Sequence, residues 1–355
     1  MQKLKAVILV GGPGTRLQPL TDNLPKSMVP VLNKPVMEHT IAYLKQFGIE
    51  DIILTLNYLP DAIRDSLGDG SRYGVNLIYC MEEEPLGTAG AVKNTEEFLD
   101  GNSLVVLNGD IFTDLDIGAM LAFHRENRAK ATIALNWVDD PSAFGVVEMD
   151  DSGRVRAFIE KPPREEATTN WINAGTYILE PDVLRHIPVN EHYMFERGLF
   201  PGLLKMGEPV YGFKHHDYWL DMGTLGMYFK LSMDMAESRF RSPAVAEPTG
   251  NGIRCHPETA IPPGAELTGA VVIDKDCRIG NNVRINGPVI IGSGCKLEDC
   301  VSINRSILWR DISVGAGTAI DRSILCDGVS IPGKQEIQDS VITTEKTAPL
   351  SANNR

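Results

Sequence analysis

Two cations, Arg16 and Lys26, stand behind a glycine turn near the start of the chain, Gly11-Gly12-Pro13-Gly14-Thr15. Glycines let a backbone come close to a ligand, and successive N–H groups in such a turn form an anion-binding concavity. A guanidinium fork and an ammonium point charge would complete a cradle for phosphate. Pro19, Pro25 and Pro30 fix φ and stiffen the loop that carries both cations. The string fits neither common phosphate loop. No Lys-Ser/Thr follows the glycines, and Leu17 stands where G-x-G-x-x-G needs its last glycine. A tight connection between two elements is the competing reading of the turn.

Carboxylates supply the second kind of chemistry. The run Glu82-Glu83-Glu84-Pro85-Leu86-Gly87-Thr88-Ala89-Gly90 is an acidic loop ahead of a helical pattern, and capping that helix is its plain reading. Asp110 closes Asn108-Gly109-Asp110, just past an apolar strand, where open α/β sheets bind ligands. Capping the turn that follows is the alternative for Asp110. His215 and His216 are adjacent, so on a strand they point to opposite faces and read as structural.

The elements that would position these groups alternate. Residues 6–10 are apolar and β-branched, as in a strand buried on both faces. Helical spacing over 36–47 ends at Gly48, and strands follow at 51–57 and 75–80, with a helix over 60–67 between them. A helix is expected over 89–98 and strands over 104–107, 131–138 and 144–149, with Asp150-Asp151-Ser152-Gly153 as a hairpin turn. Strand–helix–strand alternation predicts an α/β domain on a mainly parallel sheet. A last helix over 225–237 closes it.

The motifs resemble, in order, those of the sugar-1-phosphate nucleotidyltransferases, whose signature is GGxGTRLxPLT followed by PKPM. This chain has GGPGTRLQPLT and PKSM, with Ser27 where the family usually has proline. The resemblance implies a Rossmann-like catalytic domain with a mixed, mainly parallel sheet. It implies that Leu9, Gly11, Gly12, Gly14 and Thr15 bind the nucleotide, with Arg16 and Lys26 catalytic. The segment EEEPLGTAG is similar to that of the family's guanylyltransferases and would place Glu82, Pro85, Gly87 and Thr88 around the base. Members that use thymine or uracil often carry glutamine at the position of Glu82. A carboxylate only accepts hydrogen bonds, which suits the two adjacent donors of guanine and favours GTP.

FGVVEMDDSGRVRAFIEKP resembles the family's sugar-binding block, although Phe144 replaces a usual tyrosine. Carried over, Gly145, Glu160 and Lys161 bind the sugar phosphate, Lys161 in a catalytic role. Asn173 of an INAG motif, Asn108 and Gly109 join them. Asp110 and Asp221, the latter in a WxDxG motif, are implied to hold catalytic Mg²⁺. The implied reaction passes a nucleotidyl group from GTP to mannose 1-phosphate and releases pyrophosphate. Thymidylyl, uridylyl or adenylyl transfer to glucose 1-phosphate is one alternative. A non-catalytic regulatory paralogue that binds a nucleotide sugar is another.

From residue 267 the sequence changes character. An aliphatic residue recurs every six positions at Leu267, Ile273, Ile279, Ile285, Ile291, Leu297 and Ile303. A second series follows four residues behind, through Val271, Cys277, Val283, Val289, Cys295, Val301 and Ile307, and slips by one near Leu308. Period six signs a parallel β-helix of hexapeptide repeats, left-handed in this family. Acyl transfer, the rival use of such a helix, usually needs a histidine beside the coils, and none follows His256. The expected organisation is a catalytic domain over 1–240, a linker over 241–256, a left-handed β-helix over 257–345 and a flexible tail over 346–355.

Composition agrees with a soluble enzyme of two domains. A net charge of −13 argues against nucleic acid as a partner. No apolar run is long enough to span a bilayer and no signal peptide is expected, so the chain reads as cytoplasmic, without a membrane partner. Its six cysteines form no C-x-x-C pair and read as reduced thiols, not as zinc ligands. The β-helix is expected to assemble homo-oligomers.

Overall fold

A computed structural model describes residues 4–246 and 252–350. By contacts the chain divides into two compact units, 1–13 with 40–221 and 14–39 with 222–355. This partition cuts across the boundary proposed at residue 240. The loop with Arg16 and Lys26, and the Leu225–Ala236 helix, group with the β-helix.

The first unit is built on a nine-stranded sheet. Its parallel heart runs Leu104–Asn108, Lys5–Leu9, Asp51–Leu56 and Asn76–Met81. Lys5–Leu9 is paired on both edges, and Ala6, Val7 and Ile8 are wholly buried, as its unbroken apolar run requires. Trp171–Leu179 then joins Leu104–Asn108 antiparallel, which turns the parallel sheet into a mixed one. Beyond it lie Ala131–Trp137 with Val210–Lys214, and the hairpin Gly145–Met149 with Val155–Glu160.

The helix expected over 89–98 differs from expectation. It spans Gly87–Asn94, and a separate 3₁₀ turn covers Glu96–Phe98. The buried Thr95 stands between them, its hydroxyl bonded to the Val92 carbonyl at 2.8 Å. A side chain that satisfies the backbone locally competes with continuation of the helix.

In the second unit the repeat forms a left-handed parallel β-helix of three stacked sheets, from Ile253–Cys255 to Ser340–Ile342. Both aliphatic series point inward and are buried, except Leu267, which is half-buried in the first coil. Early coils are 18 residues long, since Val271 pairs with Val289 and Ile285 with Ile303. Later ones are 17, since Ile307 pairs with Ile324 and Ile320 with Ile337. The registers Asn286↔Asn304 and Ile290↔Ile307 place the lost residue between Asn304 and Ile307, just ahead of Leu308. The shortened corners turn on Arg305, Arg322 and Asp339, all at positive φ.

Two expected boundaries are corrected. Ile253–Cys255, assigned to the linker, is the first rung of the β-helix and pairs with Val271–Ile273. Thr347–Pro349, assigned to the tail, folds back antiparallel on Ser340–Ile342 because the chain has reached the end of the coil stack. Residues 351–355 of that tail and 247–251 of the linker lie outside the described residues.

Candidate active site

In the first unit the site grows from two strand ends. Leu9 and Asn108 are partners in parallel register, so Gly11-Gly12 and Asn108-Gly109-Asp110 leave the sheet side by side. The Gly109 amide donates to the Leu9 carbonyl at 3.0 Å. Ile111–Thr113 then pairs antiparallel with Trp219–Asp221, and Asp221 stands opposite Ile111. Asp110 and Asp221 are therefore one residue out of register across a two-stranded ribbon.

Two carboxylates are a hard-oxygen donor set. Mg²⁺ keeps several waters and is commonly bound through one or two carboxylates together with substrate phosphates, so this pair fits that ion. Among the described residues no cluster of three or more His, Cys, Asp or Glu could form a protein-only metal cage.

The acidic loop closes on itself. Glu82 is 8% exposed, and its Oε2 accepts the Leu86 amide at 3.0 Å. The Asn57 side-chain amide donates to the Glu82 carbonyl at 3.0 Å. Oε1 faces Gly11: a Cβ added at Gly11 would lie 3.4 Å from it. Burial pushes the Glu82 pKa up, and the Leu86 N–H opposes that shift. Gly87 follows at φ +72°, where a Cβ would meet the Tyr193 carbonyl at 2.9 Å, so glycine is required on both counts. Thr88 faces away from the loop. Its hydroxyl donates to Glu196 Oε2 at 3.0 Å and accepts the Phe195 amide at 2.9 Å.

Of the residues expected to bind the sugar phosphate, Gly145, Glu160 and Lys161 lie on or beside the hairpin and Asn173 on the Trp171–Leu179 strand. Gly145 pairs with Glu160, and a Cβ at Gly145 would lie 2.6 Å from the Phe158 ring and 3.0 Å from Glu160 Oε2. Lys161 adopts φ +49°, its amide bonded to the Phe144 carbonyl at 3.0 Å and its Nζ 3.9 Å from Glu160 Oε1. The Phe144 ring meets Trp219 edge-on at 5.5 Å, and Trp219 Nε1 donates to the Ala174 carbonyl at 2.9 Å. Asn173 Nδ2 donates to the Tyr177 hydroxyl at 2.8 Å, and its Oδ1 accepts the Gly175 amide at 3.0 Å.

Two residues in this group carry no sequence signal. Tyr177 is wholly buried, and the charges of Glu196, Glu160 and Asp110 act on it. Glu196 lies in a π-helical turn, Phe195–Leu199, and burial raises its pKa while Glu160 and Lys161 act on it in opposite senses. Single π-helical turns are rare and frequent at functional sites. By contrast His215 is buried and His216 lies edge-on to Trp171, both just past the end of the Val210–Lys214 strand and not on it as expected.

Gly14, Thr15, Arg16 and Lys26 belong to the second unit. Thr15–Leu17 is a 3₁₀ turn closed by the Leu17 amide on the Gly14 carbonyl at 2.9 Å, which also accepts the Thr21 hydroxyl at 2.8 Å. Lys26–Met28 is a second 3₁₀ turn, held by Met28 N to Pro25 O at 2.8 Å and Val29 N to Lys26 O at 3.2 Å.

Residues 5–238 match the nucleotidyl transferase family, and residues 267–349 match the GMPPB C-terminal domain. The chain belongs to the nucleotidyl transferase family. Among nucleotidyl transferases it is 39% identical to a mannose-1-phosphate guanylyltransferase of Mycobacterium tuberculosis, over 80% of this chain and 79% of that one. A UTP–glucose-1-phosphate uridylyltransferase of Synechocystis is 34% identical over 89% of this chain and 86% of its own. The solved structure of HddC from Yersinia pseudotuberculosis, complexed with GMP-PN, matches with a TM-score of 0.56 and 31% identity, over 64% of this chain and 98% of that one.

Proposed function

We propose that this nucleotidyl transferase joins GTP and mannose 1-phosphate to give GDP-mannose and pyrophosphate. The observation that carries the choice of base is the buried Glu82 carboxylate, an acceptor-only group at the base loop. The guanylyltransferase names among its relatives favour the same choice. The 34% identity to a uridylyltransferase supports a second reading, uridylyl transfer to glucose 1-phosphate.

An oxygen of the sugar phosphate attacks the α-phosphorus of the nucleotide in line, and the bond to the bridging oxygen of pyrophosphate breaks. Such transfers depend on positioning and charge neutralisation, with no side-chain nucleophile. Lys161 orients the attacking phosphate, and Glu160, Asn173 and the close backbone of Gly145 hold the sugar. Leu9, Gly11, Gly12, Gly14 and Thr15 cradle the nucleotide phosphates, Arg16 and Lys26 neutralise charge that builds on them, and Asn108 and Gly109 join the residues that hold the sugar phosphate. Pro85 and Gly87 shape the base loop, and Thr88 anchors it. Asp110 and Asp221 would hold Mg²⁺, which when bound polarises the phosphates.

Free cysteines suit a cytoplasmic setting, and the β-helix is the proposed assembly element. Among the described residues no helix is long and apolar enough to cross a membrane.

Pyrophosphate release with each nucleoside triphosphate, against mannose 1-phosphate and glucose 1-phosphate, tests the proposal. GTP with mannose 1-phosphate should lead by tenfold or more. A lead for UTP with glucose 1-phosphate transfers the same chemistry to the second reading, and release from no pair points to a regulatory protein.

A further inference from the structure

The loop that carries Lys26 is fastened to the β-helix by a short chain of hydrogen bonds. Tyr228 is wholly buried in the Leu225–Ala236 helix, and its hydroxyl donates to the Pro30 carbonyl at 2.8 Å. The same oxygen accepts Trp309 Nε1–H at 2.9 Å. Trp309 is buried directly after the Ile307–Leu308 rung, with its amide on the Leu325 carbonyl at 2.9 Å, so its backbone is fixed by the next coil.

On the loop side the path is equally stiff. Pro30–Val31 pairs with Lys34–Pro35 through a two-residue turn, Leu32 and Asn33, with φ of 44° and 62°. Asn33 Nδ2 donates to the Ile291 carbonyl of the β-helix at 3.1 Å, and His39 Nε2 bonds the Val31 carbonyl at 2.9 Å. From Pro30 back to Lys26 there is only the single 3₁₀ turn closed by Val29 N on Lys26 O.

We infer that Trp309, acting through Tyr228 and the Pro30 carbonyl, is a positioning residue for Lys26. The β-helix thereby takes part in nucleotidyl transfer, as the support against which the Lys26 turn is set. This rests on the catalytic reading of Lys26. A positioned cation acts on charge that develops in the transition state, so slack in the support should lower kcat and leave substrate binding nearly unchanged.

The test is a double-mutant cycle on the full chain, with pyrophosphate release and thermal unfolding read side by side. Tyr228→Phe removes one oxygen and is the cleaner change; Trp309→Phe removes the N–H together with part of the buried indole ring, and either serves if the other fails to fold. Each should lower kcat tenfold or more with both KM values within about twofold, and neither should cost more in a Lys26→Ala background. Folded variants with normal kcat, or losses that multiply with that of Lys26→Ala, overturn the inference alone. Near-normal turnover in Lys26→Ala itself overturns the reading of Lys26 and the inference with it.

Discussion

The Thr88 hydroxyl donates to the Glu196 carboxylate at 3.0 Å, and this bond ties the Gly87–Asn94 helix to a π-helical turn more than a hundred residues on. Thr88 also accepts the Phe195 amide, so one hydroxyl serves both groups. Glu196 in turn feels the charges of Glu160 and Lys161. The Gly87–Asn94 helix and the Glu160-Lys161 corner thus share Glu196 as a neighbour within one unit.

Thr88→Val keeps the shape and removes the hydroxyl. Glu196 and the Phe195 amide lose their partner in a largely buried place, and each such loss costs about 1–3 kcal/mol. The variant should unfold at a lower denaturant midpoint, and its KM should rise for the sugar phosphate as well as for the nucleotide. Steady-state kinetics on both substrates checks this; a rise for neither would leave Thr88 with a purely structural role.

Glu82→Gln exchanges an acceptor for a group that donates and accepts. The ratio of kcat/KM for GTP over UTP should fall by tenfold or more, since a buried guanine donor loses its acceptor. Burial raises the Glu82 pKa, so its carboxylate takes up a proton at higher pH than an exposed glutamate does. The acid limb of kcat/KM for GTP should therefore begin at higher pH in the native protein, and this contribution should be absent in Glu82→Gln. A pH profile on the two proteins decides it.

Ser27 stands where the family usually carries proline, and its buried hydroxyl has no hydrogen-bond partner among the described residues. Burying an unpaired hydroxyl costs on the order of 1–3 kcal/mol. Ser27→Ala removes it with little change in volume and should raise the urea midpoint by an amount worth about 1 kcal/mol. An unchanged or lower midpoint would show that the hydroxyl is satisfied in solution.

His39 bridges the Val31 carbonyl and the Ser242 hydroxyl, and burial lowers its pKa to about 4. The unfolded chain binds that proton near pH 6.5 and the folded one only near 4, so protonation favours unfolding. The stability His39 contributes is complete above about pH 6.5 and declines as pH falls towards 4. Urea midpoints measured across this window should show a shallower decline in His39→Gln than in the native protein.

Much of this was legible in the sequence, for identifiable reasons. Residues 6–10 announce a doubly buried strand because both faces need apolar side chains, and the period of six survives because every coil repeats one geometry. The turn carrying Asp110 was legible from its place after an apolar strand. Glu196 and Tyr177 were not, because a π-helical turn has no residue pattern and a buried tyrosine in a strand reads as core. The fastening of Lys26 to the β-helix was equally hidden. Pro30, Tyr228 and Trp309 lie far apart in the chain, and no spacing rule links them.

The missing residue between Asn304 and Ile307 bears on how this β-helix can change over time. Coils on either side of that corner differ in length, so they are not interchangeable units. An 18-residue coil duplicated among the earlier ones preserves the stagger of everything that follows. The same segment copied among the 17-residue coils brings a surplus residue, which must be absorbed at the corners now occupied by Arg305, Arg322 and Asp339. Growth or loss of whole coils is therefore expected to respect this junction, and lineages that vary in coil number should vary it within one class at a time.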